Sequence, residues 1–238
     1  MVTNIGFDNE HPYVEEGADE GEVSVVGNRI SVTDTIARAE RVTIERSVDG
    51  GLTWEPVVDD AVAGDGINLV DFESLSYGDN LYRAVAFTAE GATSETEITV
   101  QARSGAFWLS GGPGYGDTGR LPLNPDVKHS GGRERALKEY AGRSKPVALV
   151  GEMTSRAVAV SGRVTDEKWI EETANIEDLI RIAQLPSRLF LFRDPDGRRM
   201  YGVLSDVDLD RLLAIQQANG IRGWNGLWGY SFTFTEAT

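Results

Sequence analysis

A mainly β protein, built as two β-sandwich domains with one helix packed on the second, is what this sequence predicts. Three observations carry the prediction. Between Glu22 and Arg103, seven short apolar runs are separated by Gly, Asn and Asp turn signals at regular spacing. In Lys145–Thr165, Val158, Val160 and Val164 share one strand face while Ala157, Ala159 and Ser161 share the other. A single clear helical stripe, Ile176, Leu179, Ile180 and Ala183, lies in 175–185, with Asn175 placed to cap it and Pro186 to end it.

Charge divides the chain. Residues 1–103 carry 21 Asp and Glu against 6 Lys and Arg, whereas residues 104–238 carry 17 of each. The acidic half disfavours nucleic acid and anionic membranes and favours solubility or a basic partner. The opening MVTNIGFDNEHPY has no basic region followed by an apolar core, so no secretion signal is expected, and no apolar run approaches bilayer length. With no cysteine, disulfides and thiolate metal sites are excluded.

Residues 1–21 are polar, with acidic but no basic side chains, and are expected to form an extended or disordered arm. Residues 22–103 form the first sandwich, with strands expected at 23–26, 29–33, 41–47, 52–58, 67–72, 80–88 and 95–101. Residues 104–132 hold eight glycines and three prolines, a composition expected of a linker that a protease would cut. Residues 133–238 form the second domain. Here 147–150 and 157–164 read as a hairpin turning at Glu152–Ser155. A second hairpin turns at Asp194–Gly197, and Trp228, Tyr230, Phe232 and Phe234 alternate along a last strand. Residues 206–220 fit either a continued strand or a helix.

No catalytic, cofactor-binding or metal-binding constellation emerges, so the chain is expected to be no enzyme and to need no cofactor. The two histidines, His11 and His129, sit outside any patterned element. Asp206, Asp208 and Asp210 resemble the start of a calcium loop, but Arg211 and Gln217 stand where Gly and Glu are required. Gly114–Gly119 matches G-x-G-x-x-G but is followed by Pro122 and Pro125 rather than a helix.

Two resemblances add to this reading. LYRAVAFTAEGATSE (Leu81–Glu95) resembles the last strands of a fibronectin type III module, with Trp54 as a candidate core aromatic. Ser47–Trp54 matches the S-x-D-x-G-x-T-W box of sialidase propellers. It occurs once rather than in repeated blades, so it is taken as a turn device. Along 105–238, WLSGG…LPLNPDV, YAGRSKPVALVGEMTSRAVAVSGRVT, a helix, LFLFRDPDGRRMYGVLSDV and LWGYSFTFTE resemble in order the tail-tube or distal-tail domain of minor tail proteins of long-tailed bacteriophages. That resemblance implies a non-enzymatic virion protein, made in the host cytoplasm and assembled into a ring, a hexamer by analogy. Its expected partners are itself, the tail tube, the tape measure and the tail tip. The expected subunit interface is Arg156, Ala157, Ala159, Ser161 and Arg163. The alternative is a carbohydrate-binding adhesin using exposed aromatics, with Trp108, Trp224 and Trp228 as candidates beside Trp54.

Overall fold

A computed structural model of the chain describes residues 3–8, 27–34, 39–62, 67–122, 125–165, 174–213 and 226–238. The first half is a two-sheet sandwich. One sheet has the order β1 (Thr3–Asp8), β2 (Asn28–Asp34), β5 (Ile67–Asp71). The other has the order β4 (Glu55–Val62), β3 (Arg41–Ser47), β6 (Tyr77–Phe87), β7 (Thr93–Arg103). All neighbours are antiparallel.

Alternation explains the core. Ile30 and Val32 face Val42, Ile44, Tyr82, Ala84, Ala86 and Val100, all buried, while the intervening side chains of β6 and β7 reach solvent to varying degrees. The start of the acidic arm is extended, Thr3–Asp8 pairing with β2 along its full length. One expectation is corrected here. Trp54 is no core residue: it is half-buried at the mouth of β4 beneath the Arg83 guanidinium, 4.2 Å from its ring centre. The expected strand at 23–26 lies outside the described residues.

The second half is one seven-stranded antiparallel sheet. Its strands are β8 (Trp108–Gly111), β9 (Asp117–Arg120), β10 (Asp126–Lys138), β11 (Val147–Thr165), β12 (Phe190–Arg193), β13 (Arg199–Leu213) and β14 (Leu227–Glu236). Their order is β10-β11-β14-β13-β12-β8-β9. A helix, α1 (Ile176–Ala183), closes its core. Asn175 caps it in a reciprocal box: Asp178 N donates to Asn175 Oδ1 at 2.9 Å and Asn175 N donates to Asp178 Oδ2 at 3.1 Å. The buried stripe is Ile176, Leu179 and Ile182; Ile180, expected inside, is exposed. These side chains join Val158, Val160, Val164, Phe190, Phe192, Tyr230, Phe232 and Phe234 in one cluster, with Trp228 packed at its margin.

Residues 104–132 are not a linker. They supply β8, β9, a 3-10 turn at Pro113–Tyr115 and the start of β10. Two of the glycines serve close packing: a Cβ on Gly111 would lie 2.8 Å from the Phe190 ring, and one on Gly119 would lie 2.7 Å from Ile182 Cδ1. The G-x-G-x-x-G stretch spans that turn and strand, with no helix after it.

Glu152–Ser155 is not a turn either. β11 runs unbroken through it and pairs with β10, with the chain reversal falling at 139–146. The bulge is at residues 151–153, the register shifting as Arg133 pairs with Thr154 and Arg135 with Val150, while Thr154 and Ser155 stay in the ladder. The Asp194–Gly197 hairpin is as expected: Asp194 Oδ1 accepts from Asp196 N and Arg198 N, both at 3.0 Å. Residues 206–213 continue β13 as a strand.

Candidate functional site

The sheet's outer hairpin leaves the body. Beyond its base, nearly every residue from Lys128 to Ser155 is exposed. Large apolar side chains sit on this arm: Leu137 is 73% exposed, Val150 59%, Tyr140 47% and Leu149 45%. Cross-strand pairing puts Arg135 opposite Val150 and Ala136 opposite Leu149, adjacent positions whose side chains point to opposite faces. Both faces of the ribbon therefore present aliphatic surface. At the tip, Arg143 N donates to Tyr140 O at 3.2 Å, and Lys138 Nζ lies 5.8 Å from the Tyr140 ring centre. Between residues 127 and 156 there are seven Lys and Arg against three Glu, so the arm is basic on an acidic protein.

At the arm's base β11 has the two faces that its sequence predicts. Val158, Val160 and Val164 enter the core, opposite Phe234, Phe232 and Trp228 of β14. Ala159, Ser161 and Arg163 are exposed, and Arg156 and Ala157 are half-buried. These five candidate interface residues thus lie together along one strand.

The candidate aromatics fare differently. Trp108 is 1% exposed and donates from Nε1 to Ser104 Oγ at 2.8 Å, so it offers no surface for stacking a sugar. Trp228 is half-buried against the core with the Arg211 guanidinium 5.7 Å from its ring centre. Trp224 lies outside the described residues.

The Ser47–Trp54 box is a turn clamp. Asp49 Oδ2 accepts from the Thr53 hydroxyl at 2.6 Å, and Oδ1 from the amides of Thr53 at 2.9 Å and Leu52 at 3.0 Å. Ser47 Oγ accepts from Gly51 N at 2.8 Å, and Gly50 and Gly51 take positive φ. Thr53, by side chain and then amide, followed by the Ser47 hydroxyl, holds the Asp49 carboxyl down to about 2.

A buried polar junction, with no warning in the sequence, joins the two halves. Arg46, 3% exposed, reaches Asp71 at 2.5 Å and Glu55 at 2.7 Å. Tyr82 donates its hydroxyl to Asp71 Oδ2 at 2.7 Å and accepts from Asn28 Nδ2 at 2.8 Å. From the second half, Arg199 binds Glu55 and the Glu73 carbonyl, Tyr201 donates to the Glu73 carboxylate, and Arg193 donates to Ser74 O at 3.2 Å and Ser110 Oγ at 2.7 Å. Burial brings Arg193 down to about 9, against the pull of Asp71. Arg46 and Arg199 meet the carboxylates of Asp71 and Glu55, while Arg193 is held by the Ser74 carbonyl and the Ser110 hydroxyl. The arrangement holds the halves together.

Among the described residues no group of three or more His, Asp or Glu is placed to hold a metal, and Asp208 and Asp210 stand exposed on β13. No described helix is long and apolar enough to cross a membrane. No family model matches the chain, and no curated protein matches it significantly.

Proposed function

We propose that this protein is a non-enzymatic structural component of a bacteriophage tail, a minor tail protein that assembles as a ring at or near the tail tip. The observation that carries the reading is the β10–β11 arm. A two-stranded ribbon is marginally stable alone in water, and this one exposes Leu137, Leu149 and Val150. Contact with neighbouring subunits would cover that surface. The exposed Ala159, Ser161 and Arg163 at the arm's base add a flat face suited to close approach. Support also comes from the first sandwich, whose order 1-2-5 over 4-3-6-7 suits a fibronectin type III-like module appended to a tail domain.

The stoichiometry of six, the tail-tube, tape-measure and tail-tip partners and the virion location rest on the resemblance of 105–238 alone. Native mass spectrometry and negative-stain imaging of the full chain test the proposal. Closed oligomers are expected, and a chain that stays monomeric at high concentration overturns intrinsic ring formation. The adhesin reading is weakened by the burial of Trp108 and the packing of Trp228. A glycan-array signal abolished by Trp54→Ala would revive it.

A further inference from the structure

The sheets leave open edges of unequal character. The β9 edge is covered, because Ala174 N donates to Arg120 O and α1 packs against the strand. β4 is a poor pairing edge: Pro56 lacks an amide hydrogen, its register shifts twice against β3, and Asp60 takes φ 52°. β10 and β7 are different. Each is long, 13 and 11 residues, and among the described residues each hydrogen-bonds to a strand on one side only, β11 and β6 respectively; β1 packs close to β7 without pairing with it. β7 pairs with β6 without a register shift.

Their charges are opposite. Exposed on β10 are Lys128, Arg133, Arg135 and Lys138 against Asp126 and Glu134, a net positive edge, and exposed on β7 are Glu95 and Glu97 against Arg103, a net negative one. Charged side chains on an edge repel a second identical edge. Two β10 edges bring like net charge together, and so do two β7 edges. Of these pairings, β10 against β7 is the complementary one.

We infer that the basic β10 edge of one copy docks on the acidic β7 edge of the next, extending the first sandwich's four-stranded sheet across the subunit junction. The inference rests on the ring reading and deepens it. A β10–β7 contact joins two different surfaces, so it is heterologous and propagates head to tail until it closes. It also explains why the net charge of −15 is confined to the half that carries β7 while the arm is basic. The arm's aliphatic faces would then lie over the neighbour's sandwich rather than in water.

The test uses the full chain throughout, with sedimentation and native mass spectrometry as readouts. Glu95→Lys with Glu97→Lys, and separately Arg135→Glu with Lys138→Glu, should each raise the concentration needed for assembly roughly tenfold or more. Combining all four substitutions in one chain restores complementarity and should recover assembly. Carbodiimide coupling of isotopically labelled with unlabelled wild-type chains should join Lys138 of one copy to Glu95 or Glu97 of another. All four substituted positions are exposed, so circular dichroism should not move, and the melting midpoint should shift only slightly as Glu95→Lys gives up its 3.7 Å contact with Arg83. Assembly indifferent to both reversals overturns the edge pairing and leaves the ring reading standing. A wild-type chain monomeric throughout overturns both. Binding to a DNA duplex or to anionic vesicles that needs Arg135 and Lys138 but ignores the β7 reversal also overturns it, and assigns the arm to that surface.

Discussion

Replacing Asp71 by Asn tests whether the buried junction holds the protein together. The side chain keeps its shape, but its charge disappears from a site 4% exposed. Three donors converge on the carboxylate: Arg46 Nη1 at 2.5 Å, the Tyr82 hydroxyl at 2.7 Å and Glu73 N at 3.0 Å. In the variant Arg46, itself 3% exposed, keeps Glu55 at 2.7 Å and Glu73 at 4.0 Å, residues 44% and 36% exposed whose charges solvent screens. Leaving a buried charge without its partner costs about 3–5 kcal/mol. Because Glu55 and Glu73 retain part of the compensation, the lower end, about 3 kcal/mol, is expected. For a chain of this size that corresponds to a melting midpoint lower by roughly 6–12 °C. Urea unfolding followed by tryptophan fluorescence measures it, and Tyr82→Phe provides the comparison. That change removes one neutral donor to Asp71 and should cost only about 1–2 kcal/mol. If Asp71→Asn cost less than about 1 kcal/mol, the cluster would behave as a solvated ion pair and the argument for a rigid junction would fail.

Four other outcomes follow from the same structure. Tyr230 has a buried hydroxyl with no partner among the described residues, so Tyr230→Phe should hold or raise stability, by up to about 1 kcal/mol in denaturant titration. Gly111→Ala would help a flexible linker by about 0.4–1 kcal/mol, but against the Phe190 ring at 2.8 Å it should instead cost about 1–3 kcal/mol. Limited proteolysis should spare Trp108–Arg120, since β8 pairs with β12 and β9 with β8. Asp49 titrates at about 2 in the folded chain against 3.8 for a free carboxyl, so its contribution is present above about pH 4 and is lost as pH falls toward 2. Thr53→Val should raise that value in an NMR titration, and an unchanged midpoint would show that the hydroxyl contact does not form.

Local signals in the sequence translated well wherever one residue type has one physical use. The strand Arg41–Ser47 was marked by its alternation, the helix by its Asn175 cap, and the Asp194–Gly197 hairpin by its turn residues. The split of β11 into a valine face and a small-residue face was legible for the same reason. Glycine was misleading because it serves two opposed ends. In 104–132 a composition that frees a chain in water is the one that lets β8 and β9 approach Phe190 and Ile182. The bulge in β11 looked like a turn because both interrupt alternation with polar residues, and only the partner strand distinguishes them. The junction was illegible. Arg46, Arg193 and Arg199 occupy ordinary strand positions; Arg46 is held by Asp71 and Glu55 of its own half, and Arg193 and Arg199 by groups of the other half, far away in sequence. Trp108 failed likewise, since an aromatic in a glycine-rich run gives no sign of which surface will close over it.

The short passage from β7 to β8 governs how load would cross this molecule. Only Ser104–Phe107 separate the two strands. Ser104 is anchored on both sides, its amide donating to Ser76 O at 2.8 Å and its hydroxyl accepting from Trp108 Nε1 at 2.8 Å. A pull that separates the sandwich from the sheet therefore meets no slack. It is borne at once by the covalent chain and, in parallel, by the Arg193 and Arg199 contacts with Ser74, Glu73 and Glu55. Two load paths side by side resist bending as a strut does, whereas a single tether only limits extension. Torque applied to the sandwich is then transmitted to the seven-stranded sheet with little twist lost on the way.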